Sequence, residues 1–149
     1  MTSMHHVSGA RRDQDLDFGP EGRRGLSTIR GIVQRGQQLG RQLGFPTANV
    51  ALETGARFRF GVYATRSRLQ DGRLYPGVAN IGCNPTTGLV LPRLEVFLFG
   101  FDEDIYDQML VTELVAFLRP EWKFSGLDPL IEQIKRDVGD AKRRLEEFR

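Results

Sequence analysis

The 149-residue sequence is poor in the features that mark several large protein classes. It has one cysteine, Cys83, so no internal disulfide can form and no cysteine-built metal cluster is expected; a reducing compartment, the cytoplasm, is the expected location. No run of about eighteen apolar residues occurs, and the amino terminus carries His5, His6 and several charges where a signal peptide needs an apolar stretch. Neither membrane insertion nor export is therefore expected. Charge of one sign is also missing: 21 basic residues against 19 acidic leave +2, too little for a nucleic-acid field, and Arg23-Arg24 and Lys142-Arg143-Arg144 read as solvated surface. The chain has neither the Gly-Lys-Ser/Thr of a P-loop nor the spaced glycine triplet of the dinucleotide fold. What its length allows is one domain with a core of its own.

Glycine, by contrast, is plentiful. Gly31, Gly36, Gly40 and Gly44 recur every four or five positions and then meet Pro46. Such a run is neither helix nor unbroken strand, because each glycine weakens a regular element while freeing the backbone for positive φ or for close approach to a ligand. A shaped loop after a short strand is expected, of the kind that points N–H groups at phosphate, with the Arg41 guanidinium inside it. Thr47 and Asn49 follow at alternate positions, so in an extended segment both oxygens face one way and can reach a hard cation such as magnesium. From physics alone an ordinary surface loop and a turn after proline are the favoured readings of the same residues.

Residues 1–26 are polar and lack apolar periodicity, which describes a flexible arm. Alternation then predicts strands over 27–34, 58–69, 73–81, 93–101 and 108–118. In the second of these, Phe58, Phe60, Val62 and Ala64 are assigned to one face and Arg57, Arg59, Tyr63 and Thr65 to the other, as in a half-buried strand. Asp71-Gly72 is a tight-turn signal, and Pro76 in the strand after it requires an edge or a bulge. In 93–101, Leu94, Val96 and Leu98 oppose Glu95, Phe97 and Phe99. After Arg119-Pro120 the period changes, and Leu127, Leu130, Ile131, Ile134, Val138, Ala141 and Leu145 predict a helix over 128–147 with Asp128 as its N-cap. Short strands without intervening helices give the expected fold class: mainly β, a small closed antiparallel Greek-key barrel of about six strands with a carboxyl-terminal amphipathic helix, over residues 27–149.

The string Gly40-Arg-Gln-Leu-Gly-Phe-Pro-Thr-Ala-Asn49 closely resembles the signature of riboflavin kinases. The resemblance continues in order through Gly61-Val-Tyr-Ala64, Gly77-Val-Ala-Asn-Ile-Gly82, Asn84-Pro-Thr86, Leu94-Glu-Val96, Phe101-Asp-Glu-Asp-Ile-Tyr106 and Leu118-Arg-Pro-Glu121. It implies an enzyme that moves the γ-phosphate of ATP to the ribityl hydroxyl of riboflavin, giving FMN and ADP with Mg²⁺. Glu95 would be the catalytic base and Thr47 and Asn49 the metal ligands. Gly36, Gly40, Arg41, Gly44, Pro46, Thr47, Asn49 and Asn80 would meet the nucleotide, and Arg119, Trp122 and Phe124 the flavin.

In bacterial bifunctional members an adenylyltransferase domain precedes this module; no such domain is expected here, so a monomer working beside a separate FAD-forming adenylyltransferase is implied. Phe97 stands where many bacterial members have histidine, and Thr87-Gly-Leu-Val-Leu-Pro92 is more apolar than usual. From the residues alone Glu95 reads as a solvent-facing strand glutamate, and Trp122 and Phe124 can read as a seal between helix and barrel. The alternative function is a flavin- or nucleotide-binding module of the same fold without turnover.

Overall fold

The computed structural model describes residues 27–36, 43–52, 58–83 and 92–148. Gly40, Arg41, residues 84–91 and the predicted arm over residues 1–26 lie outside them. Six strands run in chain order: β1 (Thr28–Ile32), β2 (Ala48–Ala51), β3 (Gly61–Arg68), β4 (Leu74–Cys83), β5 (Pro92–Leu98) and β6 (Met109–Arg119), followed by helix α1 (Leu127–Glu147). All strand pairings are antiparallel, in the order β1-β6-β3-β4-β5-β2. The successive strands β3, β4 and β5 lie side by side and β6 returns beside β3, which is the Greek-key arrangement.

The two outer strands come together where Gln34 N–H donates to Asn49 O at 2.7 Å, a single bridge that nearly closes the sheet into a barrel. The barrel and its terminal helix are as the sequence predicts. β2 is a regular strand where the sequence indicates only a short extended segment.

Inside the barrel, Ile29, Val33, Val50, Tyr63, Ile81, Leu94, Val96, Leu110 and Leu114 form a close-packed core. A second cluster, with Val62, Ala64, Val78, Val115, Ala116, Ala141 and Leu145, lies between the outer face of the sheet and α1. This second layer corrects the half-buried reading of β3. Tyr63 and Thr65 are buried, and the helix buries Val62 and Ala64 on the opposite face. Phe58 does not share their face: it precedes the strand and packs with the interior cluster, while Phe60 remains 41% exposed.

Pro76 meets its requirement although β4 lies in the middle of the sheet. Its carbonyl accepts from Phe99 N–H at 2.9 Å, just beyond the end of β5, so its missing donor points past that strand's last residue.

The helix begins one residue earlier than predicted, with Gly126 at the N-cap position. Asp128 lies inside the first turn and makes no side-chain cap, so its benefit comes through the helix dipole. Leu127, assigned to the apolar stripe, is 54% exposed because the stripe starts at Leu130. At the other end of α1, Arg66 on β3 donates through Nη2 to the carbonyls of Leu145 and Phe148 at 3.0 and 2.9 Å, tying the last turn to the sheet. Only the carboxyl-terminal half of the stripe (Val138, Ala141, Leu145) packs on the sheet. Leu130 and Ile134, in the amino-terminal half, stand over a cleft.

Candidate active site

β5 places Glu95 on the outer face because Leu94 and Val96, its neighbours in a strand of period two, are fully buried inside. Across the sheet Glu95 is in register with Asn49 on β2 and with Asn80 on β4. Asn80 is in register with Val62 on β3, and Val62 with Arg119 on β6. Cross-strand partners share a face, with β-carbons about 5 Å apart. Five positions separated by up to 70 residues thus form one row.

Beside this row opens a cleft of about 980 Å³, mouth included, lined by Thr47, Asn80, Glu95, Phe97, Arg119, Glu121, Trp122, Phe124 and side chains from the helix. Glu95 is half-buried in it. Burial raises its carboxyl above the ordinary range; Arg93 opposes that shift and Glu121 adds to it. A carboxylate held with a raised proton affinity in an apolar-walled cleft is a stronger proton acceptor than an exposed one.

A second cleft, of about 540 Å³ with its open mouth included, lies between Pro46–Ala48 and the 101–106 loop, with Tyr106, Asp102 and Asp104 on its wall. Thr47 lines both clefts. Asn49 is 5% exposed and lies against Gly36, where any β-carbon would overlap its amide. Gly36, predicted to cover a nucleotide, is thus required here by close packing on Asn49. Gly44 adopts φ 92°, the positive-φ turn expected of the glycine run. No group of three or more His, Cys, Asp or Glu residues that could hold a metal occurs among the described residues. The side-chain oxygens of Thr47 and Asn49 accept no hydrogen bond from a described residue, and as uncharged hard donors they fit magnesium shared with phosphate and water.

Arg119 is already engaged. Its Nε and Nη2 donate to Asp137 on α1 at 2.8 and 2.7 Å, and Gln133 Nε2 donates to the same carboxylate at 2.9 Å. The Trp122 ring lies 4.5 Å from the guanidinium carbon and the Phe124 ring 5.9 Å. Trp122, 51% exposed, does not seal the helix; it covers Arg119 at the cleft mouth, while Phe124 is half-buried in the wall. Phe97 holds Phe45, the residue before Pro46, edge-on at 5.4 Å and so braces the segment that carries Thr47.

The structure therefore gathers Thr47, Asn80, Glu95, Arg119, Trp122 and Phe124 at one cleft, with Asn49 beside them in the row. Two acids escaped the sequence reading of the site. Asp137 carried a signal, being an acid on the apolar stripe between Ile134 and Ala141. Glu121 had none beyond its place in the Leu118–Glu121 motif.

A family model described as riboflavin kinase matches residues 25–145. The chain is 45% identical over 114 residues to a bifunctional riboflavin kinase/FMN adenylyltransferase of Haemophilus influenzae, covering 76% of this chain and 37% of that protein. It is 40% identical over 122 residues to the RNA-binding riboflavin kinase RibR of Bacillus subtilis, covering 81% and 52% respectively. The chain thus spans about a third to a half of the length of these curated relatives. Among solved structures, riboflavin kinase from Trypanosoma brucei superimposes with a TM-score of 0.62 at 25% identity, over 80% of this chain and 76% of that one.

Proposed function

The chain belongs to the riboflavin kinase family, and from that premise we propose that it transfers the γ-phosphate of ATP to the ribityl 5′-hydroxyl of riboflavin, giving FMN and ADP. The observation that carries this reading is the shared wall: Thr47 stands between a cleft containing a half-buried carboxylate and a second cleft. Riboflavin occupies the first, with Trp122 and Phe124 against its ring and its terminal hydroxyl at Glu95. ATP occupies the second, its phosphates directed toward Thr47 and Asn49 with Pro46 and Gly44 beside them, and the family resemblance assigns Gly36, Gly40 and Arg41 to the same nucleotide.

Glu95 accepts the hydroxyl proton as the oxygen forms its bond to the γ-phosphorus; the bond from that phosphorus to the bridging oxygen breaks, and ADP leaves. Thr47 and Asn49 would hold a magnesium ion, which would supply charge neutralisation on the phosphates. The Arg119–Asp137 pair fixes the mouth of the cleft instead of contacting phosphate. The same reading takes a single chain as the working unit, since one chain walls both clefts, and passes FMN to a separate adenylyltransferase in the cytoplasm.

The test is an ADP-release assay with the product identified by chromatography. ADP and FMN formed in equal amounts, and only when riboflavin is present, are the expected result. Tight riboflavin binding without ADP would leave a binding module and remove the proposal.

A further inference from the structure

Residues 120–126 join β6 to α1 without regular structure and pass over the first cleft. Arg119 fixes the start of this segment through Asp137. Two residues further on, Glu121 reaches back to the sheet, where its Oε2 accepts from Asn80 Nδ2 at 3.1 Å. Its carboxylate lies over Gly82, where a β-carbon would overlap it. Asn80 and Gly82 are alternate residues of β4 and so face the same way; together they form a seat for Glu121, with the amide donating on one side and the missing side chain making room on the other.

The chemistry left over at this seat is specific. Glu121 makes no ion pair with a described residue, and the nearby guanidinium of Arg119 is committed to Asp137. Glu121 keeps Oε1 as an acceptor, and Asn80 keeps its amide oxygen and a second N–H. Arg93, the cross-strand partner of Gly82, stands next to the seat without an ion pair to Glu121, and a wall whose acceptors outnumber its free N–H groups is completed by hydroxyl groups. Asn80 is also the cross-strand neighbour of Glu95, about 5 Å away, within the span of a short polyol chain.

Resting on the kinase reading of this cleft, we propose that Asn80 and Glu121 read the inner hydroxyls of the substrate's polyol chain, so that its terminal hydroxyl falls at Glu95. Specificity for a polyhydroxylated side chain then resides in this pair, and ring recognition resides in Trp122 and Phe124. A site built to hydrogen-bond a hydroxyl discriminates strongly against a ligand without one, because its own polar groups are left unpaired.

The test compares riboflavin with lumiflavin, which has the same ring and a methyl group in place of the polyol, by flavin-fluorescence titration of the full chain. Wild type binds riboflavin more tightly. Glu121→Ala weakens riboflavin binding about 10- to 100-fold and leaves lumiflavin binding unchanged; Glu121→Gln, which keeps an acceptor, recovers part of the loss. Gly82→Ala, which displaces the carboxylate without removing it, gives the Glu121→Ala pattern, and the double variant is no worse than Glu121→Ala alone. Equal losses for both flavins, equal binding of both by wild type, or additive effects of the two substitutions would overturn the proposal. So would heat of Mg²⁺ binding without nucleotide that disappears in Glu121→Ala, since the acid would then serve a cation. Absence of ADP from wild type would remove the kinase reading while the ratio of the two flavin affinities still decided the pair.

Discussion

Leu94, Val96 and Leu98 point into the barrel, whereas Glu95 and Phe97 of the same strand, and Phe99 just after it, point outward, to the cleft and the helix. The inner residues meet similar side chains from every other strand, and their contribution is packing. The outer residues meet a surface that α1 covers only in part, so the last turns of the helix leave a sealed layer and the first turns an open one. One strand therefore supports stability on one face and chemistry on the other, and substitutions on the two faces should separate these effects.

The largest separation is expected at Glu95. Glu95→Gln should lower riboflavin-dependent ADP release by about 10²- to 10⁴-fold, the usual contribution of a general base, with the fold retained. Because burial raises the carboxyl's affinity for its proton in the folded chain, ionisation costs stability as pH rises from the unfolded value through the folded one. Glu95→Gln lacks that cost. Its melting temperature should match wild type in acid, rise above it through the window and stay above it at higher pH. The acid limb of kcat/KM should likewise lie above the ordinary glutamate range.

On the opposite face, Leu94→Ala should cost about 2–5 kcal/mol in urea unfolding, while the remaining folded protein keeps its turnover. Between the faces, Asp137→Asn leaves Arg119 at a nearly closed site without its anion and should cost about 3 kcal/mol, with a rise in KM for riboflavin as the cleft mouth loosens. Gly36→Ala pushes on the buried Asn49 amide and should raise the magnesium concentration needed for half-maximal rate, with a stability loss of about 1–3 kcal/mol from the overpacking. Least of all, Arg73→Ala removes an exposed pair with Glu103, and its small loss of melting temperature should vanish at high salt.

The outward position of Glu95 was legible in the sequence because its neighbours alternate cleanly with it. The glycine run, the hairpin at Asp71-Gly72 and the terminal helix were legible for similar local reasons. In β3, alternation named two faces without saying which was inside, and with a helix over the outer face both are apolar. The break between Phe58 and Val62 was hidden, since the spacing continues although the strand starts only at Gly61. Asp128 looked like a cap because it precedes Pro129, yet the helix extends back past it to Leu127. Glu121 lies in an irregular segment, where no period assigns a side chain to a face, and only the folded chain brings it to Asn80.

Among the described residues the bridge from Gln34 to Asn49 is the one clasp that fastens the barrel like a hoop, and the residue in that clasp also carries the proposed cation ligand. Whatever grips Asn49 from outside also tightens the ring, so magnesium nucleotide should act as a rivet, slowing amide exchange at Gln34 more than at the hairpins on the far side of the barrel.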